Sequence, residues 1–203
     1  MGILRQVFGA SRKEIWQQLA KEVGGTYVEG GFARSDKVQV RHGEWMVTLD
    51  VHVVSTGKSA VVFTRMRAPY VNPDGFRFNI YREGFFSEIG KFFGMQDVEI
   101  GIEAFDRDFV IQGSDEARLR LLFDNAKLRE LLEKQPKVQF CVRDDEGWFG
   151  PDFPEGVDEL RFMVLGVIKD IDRLKGLYDL FAEALDQLCR IGSAYEGNPE
   201  VNL

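Results

Sequence analysis

The sequence predicts an α+β fold: a single domain in which an antiparallel sheet meander is packed by helices, the longest at the C-terminal end. Three observations carry this expectation. Between Lys37 and Tyr81, apolar residues recur at every second position in short runs parted by turn residues, the pattern of half-buried antiparallel strands. From Ile171 to Ile191, Leu174, Leu177, Tyr178, Phe181, Leu185 and Leu188 recur at helical spacing, as in a helix with one buried stripe. The 203 residues hold no internal repeat and no linker long enough to divide them, so one domain over 1–203 is expected, with 1–10 and 193–203 as peripheral tails.

Ser11-Arg12-Lys13-Glu14 has the spacing of a capping box, in which the hydroxyl and the carboxylate each serve the other residue's backbone N–H. Ile15, Trp16, Leu19, Ala20 and Val23 follow at helical spacing, so a helix is predicted over Arg12 to Val23, ended by Gly24-Gly25. Strands are predicted at Thr26–Glu29, Lys37–His42, Trp45–Val54, Ser59–Ala68 and Phe76–Tyr81. Gly43-Glu44, Ser55-Thr56-Gly57-Lys58 and Asn72-Pro73-Asp74-Gly75 supply the turns, and Pro69 closes the fourth strand. Gly84–Phe93 reads as a short helix and Phe105–Gln112 as a strand. Ser114 is a candidate N-cap for one or two helices that end before Pro136. Val138, Phe140 and Val142 alternate as a strand; Asp144–Glu159 is a loop with seven acids; Leu160–Ile168 is apolar enough to be buried on both faces. Asp170 caps the last helix and Gly192 stops it.

Composition narrows the function classes. An apolar share of 44% and a charged share of 29% are those of a folded globular chain, and 17 Phe imply a large aromatic core. No run reaches the roughly 18 apolar residues of a membrane-crossing helix, and the first ten residues have no signal-peptide core. A cytoplasmic protein with free thiols at Cys141 and Cys189 is therefore expected. The net charge is −7, yet Arg34 to Arg82 holds eight Lys/Arg against four acids, so that stretch is +4 and the remainder −11. The asymmetry points to an anionic partner for the basic stretch. A net acidic chain is a poor ligand for nucleic acid, so neither nucleic acid nor membrane is expected as a partner.

No phosphate-binding loop, dinucleotide fingerprint, nucleophile elbow or zincin helix occurs, so no catalytic residue and no cofactor is assigned. If Val47, Leu49 and Val51 face the core, Thr48, Asp50 and His52 face away from it. Gln39, Arg41, Arg65, Arg67, Arg77, Asn79 and Tyr81 can share that second face. Arg41, Asp50, His52, Arg65 and Arg67 then form a candidate ligand site, with guanidinium groups for phosphate or carboxylate. The plain alternative is a solvated face with cross-strand charge pairs, because antiparallel sheets commonly leave one face wet. Asp50 and His52, with His42 across the hairpin, are too few for a metal site. The acids of the loop lack the EF-hand spacing. Trp148, Phe149 and Phe153 within it either fold back on the core or anchor a partner. Cys141, in a half-buried strand, reads as an inert thiol.

Phe63-Thr64-Arg65-Met66-Arg67-Ala68-Pro69, Gly94-Met95-Gln96-Asp97-Val98-Glu99-Ile100-Gly101, Phe105-Asp106 with Phe109-Val110-Ile111, and Lys169-Asp170-Ile171 with Leu174 span most of the chain. They resemble an uncharacterised family of bacterial cytoplasmic proteins of unknown function. The resemblance implies a bacterial, cytoplasmic protein and no residue roles. The expected function is that of a noncatalytic binding or interaction protein, associating as a homodimer or with a protein partner. The alternative is a carrier of an anionic or apolar ligand, or a small enzyme, built on the polar face. A long helix gripped by a curved sheet would open the cavity an apolar ligand needs.

Overall fold

The computed structural model describes residues 11–31, 35–55, 59–82, 95–144, 153–201 and 203. Helix α1 (Arg12–Glu22) opens with the expected capping box: the Ser11 side chain accepts from the Glu14 N–H, and Glu14 accepts from the Ser11 N–H at 3.0 Å. Strands β1 (Thr26–Val28), β2 (Lys37–His42), β3 (Trp45–Ser55) and β4 (Ala60–Val71) follow as an antiparallel meander. Gly43, at φ +56°, makes the turn between β2 and β3 that other residues strain to adopt. The remaining elements are β5 (Phe78–Arg82), β6 (Gln96–Asp97), α2 (Glu103–Asp108), β7 (Phe109–Gly113), α3 (Glu116–Phe123), α4 (Ala126–Glu133), β8 (Gln139–Arg143), β9 (Val157–Leu165) and α5 (Ile171–Arg190). All nine strands join one antiparallel sheet in the order β1-β2-β3-β4-β9-β8-β5-β7-β6.

The described helices cover one face. Phe140 of β8 meets Phe181 of α5 edge to face at 5.6 Å and lies 5.7 Å from Phe78 of β5. Phe78 packs in turn on Phe123 of α3 at 5.9 Å, and Phe123 on Phe105 at 5.8 Å. The Tyr178 hydroxyl donates to the Val38 carbonyl at 3.1 Å and fixes α5 to β2. Phe140 and Phe181 meet ring to ring at the middle of the interface, while a groove of about 380 Å³ opens between α5 and β2 and β3, lined by Val40, Val47, Tyr178 and Ala182.

Several expectations are corrected. Strand β4 runs through Pro69 and does not stop at it. Its pairing with β3 ends at Thr48↔Arg67 while pairing with β9 continues to Val71↔Val157, so the missing N–H falls where one ladder has already ended. The meander does not reach β5, because β8 and β9 lie between it and β4. Strand β5 also begins two residues later than the alternation suggests. Phe105 is helical. The Asp106 carboxylate accepts the N–H groups of Ile100, Gly101 and Ile102, each at 2.9 Å, which folds this stretch into a turn and turns Phe105 inward against Phe109. Asp115 caps α3, since the Ser114 hydroxyl is used on the backbone of Arg77. Strand β9 starts at Val157, so Asp158 and Glu159 belong to the sheet and not to the acidic loop. The proposed helix at Gly84–Phe93 and the tail 1–10 lie outside the described residues. At the other end, Tyr195 bridges to Val71, Pro199 is buried, and the Lys37 ammonium donates to the Leu203 carbonyl at 2.5 Å.

Two substitutions measure the two kinds of contact. Phe140→Ala should lower unfolding free energy in urea by about 3–5 kcal/mol, the range for removing a buried ring. Ser11→Ala should cost about 1 kcal/mol, through the cap alone.

Candidate functional site

Strand register sets out the sheet face opposite the described helices. Residues directly opposite on neighbouring strands share a face. Thr48, Arg67, Arg161, Cys141, Asn79 and Gln112 therefore form one row across six strands. Asp50, Arg65, Met163, Gln139 and Tyr81 form the next row on one side. Pro69, Glu159 and Arg143 form the row on the other. The alternating residues Leu49, Met66, Phe162, Phe140 and Ile80 belong to the core.

The central part of this face is not solvated. Asp50, Arg65, Arg67, Arg161 and Glu159 are 7, 9, 5, 6 and 0% exposed, which corrects the expectation of a wet face. Arg65 donates to both Asp50 oxygens, from Nε at 2.9 Å and Nη2 at 2.8 Å, and Arg67 Nη2 donates to Oδ2 at 2.7 Å. Glu159 Oε2 lies 3.6 Å from Arg67 Nη1. Beyond this cluster, Gln139 donates to Asn79, Asn79 to Gln112 and Gln112 to Asp97, at 3.1, 3.2 and 2.9 Å. Both oxygens of Glu159, Nε and Nη2 of Arg161, and Oε1 of Gln139 have no hydrogen-bond partner among the described residues. Buried polar groups left in this condition cost about 1–3 kcal/mol each, and more when charged.

Charge states follow from these surroundings. Burial alone would raise the Asp50 carboxyl, but the hydrogen bonds from Arg65 and the charges of Arg67 and Arg65 outweigh it and hold it below the usual carboxylate range. Glu159 goes the other way: burial raises it, against the pull of Arg67, Arg161 and Arg65. His52, two residues along β3 from Asp50, is lowered to about 4 by burial and by the Arg65 charge, so it is neutral at physiological pH. Burial also raises the Cys141 thiol, which keeps it protonated and a poor nucleophile.

Asp50, Arg65 and Arg67 are thus brought together with His52 beside them, and Arg41 is not. Its exposed side chain sits opposite Met46 and pairs with Glu44 at 3.8 Å. Arg77 lies at the rim, where Asp158 and Asp144 hold it at 3.2 and 2.7 Å. His42 is on the helix side, 2.8 Å from Asp186 and stacked on Trp45, so it cannot converge with His52. Among the described residues, no three His, Cys, Asp or Glu side chains are grouped to hold a metal ion. Trp148 and Phe149 lie outside the described residues; Phe153 is half-buried. Sequence reasoning missed Glu159 and Arg161. Their signal was present in the alternation of Asp158-Glu159-Leu160-Arg161-Phe162, where Glu159 and Arg161 oppose Leu160 and Phe162.

The chain matches no protein-family model, and no curated protein or solved structure is significantly similar to it. No helix among the described residues is long and apolar enough to cross a membrane.

Asp50→Asn should cost about 3–5 kcal/mol at neutral pH, because the buried Arg65 and Arg67 lose the carboxylate they share. The stability from Asp50 is present above the unfolded carboxyl value of roughly 3.9 and is lost as pH falls through the lower folded value. The variant's urea midpoint should therefore fall less than the parent's in that acid range. In an NMR titration, the His52 ring should titrate near pH 4.

Proposed function

We propose that the protein is a noncatalytic binding protein that holds a small oxyanion, a carboxylate or a phosphate group, on the sheet face opposite the described helices. The observation that carries this reading is the Arg161 guanidinium. Its Nε and Nη2 are buried with no acceptor among the described residues. The same pair of nitrogens on Arg65 grips both oxygens of Asp50. That side-on fork matches a carboxylate or phosphate edge, and two parallel charge-assisted hydrogen bonds form where it meets one.

A cleft on the same face supports the reading. A cleft of about 210 Å³ on this face is bordered by Gln39, Arg41, Thr48, Pro69 and the tail residues Pro199 and Val201. Thr48 is directly opposite Arg67, and Pro69 directly opposite Glu159. Exposed Arg41 stands at the edge of that cleft, suited to attracting an anion. Binding without turnover is favoured because Asp50 is tied by three hydrogen bonds and Cys141 is a protonated thiol. The free thiols suit a reducing, cytoplasmic setting.

Thermal unfolding in rising phosphate or citrate, against chloride at equal ionic strength, tests the reading. Above saturation, each tenfold rise should add about 1.4 kcal/mol, or roughly 3–6 °C in midpoint for a chain of this size. Arg161→Met should abolish the increment while the variant stays folded. An unchanged midpoint in every anion would overturn the proposal.

A further inference from the structure

The Arg161 fork does not stand alone. In the row on one side of it, the two oxygens of Glu159 are fully buried with no hydrogen-bond donor among the described residues, and in the row on the other side Gln139 Oε1 is buried in the same condition. Glu159 and Arg161 are two residues apart on one strand and point to the same face, so their Cα atoms are about 6.7 Å apart. Gln139 is paired with Met163, the next residue of that face along β9. Gln139 cannot turn its amide nitrogen to fill the gap, because that nitrogen already donates to Asn79 Oδ1 at 3.1 Å.

Resting on the oxyanion reading above, we infer that the ligand is a compact hydroxylated oxyanion. Its charged group takes the Arg161 fork, and its hydroxyl meets Glu159 or Gln139. A bare carboxylate or phosphate satisfies the fork and leaves both acceptors orphaned. A ligand with a hydroxyl satisfies donor and acceptor together, and its short span fits the spacing along β9. A hydroxyl is preferred to an ammonium for two reasons. It brings no second positive charge into a cluster that already holds three guanidinium groups. It also serves Glu159 in either protonation state, donating to the carboxylate or accepting from the acid, and burial pushes Glu159 toward the acid.

Matched pairs that differ only in hydroxyl groups test this with the intact protein: propionate against lactate, and propyl phosphate against glycerol 1-phosphate, by calorimetric titration. The hydroxylated member should bind at least tenfold tighter, about 1.4 kcal/mol. The pair with the larger gain identifies whether the charged group is planar or tetrahedral. Glu159→Met keeps the volume and removes both oxygens, and should reduce the ratio within each pair; Glu159→Gln, closer in shape, should reduce it less. Equal affinity within both pairs, with binding that Arg161→Met still abolishes, overturns this inference and leaves the oxyanion reading standing. No binding by any of the four overturns both.

Discussion

Asp50 holds two guanidinium groups inside the sheet, and the arrangement of the face opposite the described helices depends on that contact. A carboxylate bonded to Arg65 and Arg67 is tolerable at 7% exposure only because three charge-assisted hydrogen bonds replace its water. The contact also fixes strand register. A slip of one residue between β3 and β4 would turn Asp50 or its arginines toward Leu49, Met66 and the aromatic core. An apolar pair in their place would be insensitive to such a slip. The aromatic layer supplies the bulk of the cohesion, and the charged cluster selects which pairing that cohesion serves.

The two faces divide the labour along the same strands. On one, Phe78, Phe140 and Phe181 interlock with nothing polar between them. On the other, charge and amide groups form a continuous array from Asp50 to Asp97 whose middle holds donors and acceptors without partners. Orphaned groups are costly in a folded protein, and five of the twelve such side-chain atoms among the described residues lie on β8 and β9.

Much of this fold was legible in the sequence, for identifiable reasons. The capping box at Ser11, the alternation from Trp45 to Val54 and the helical stripe after Asp170 are local patterns whose physical cause lies within a few residues. The face shared by Asp50, Arg65 and Arg67 followed from alternation alone. What could not be read was non-local. That β9 enters beside β4 is decided by which apolar strand fills the middle of the sheet, and the linear text carries no mark of it. Pro69 looked like a terminator because the ladder that spares it is formed by residues distant in sequence. Glu159 and Arg161 were hidden by rules that assign acids to loops and unbroken apolar runs to buried strands. Only with β9 in place does an acid at a fully buried position become a feature of the site.

The pairing of β4 with β9 also governs how the chain can be built. As β4 leaves the ribosome, one of its edges is already matched by β3, but the other awaits residues 157–165. Every residue from 72 to 156 must be synthesised first, which at ordinary translation speed takes on the order of ten seconds. Throughout that delay the nascent meander presents Met66, Ala68 and Tyr70 beside an unfilled hydrogen-bonding edge, the kind of surface that neighbouring chains and holdase chaperones bind.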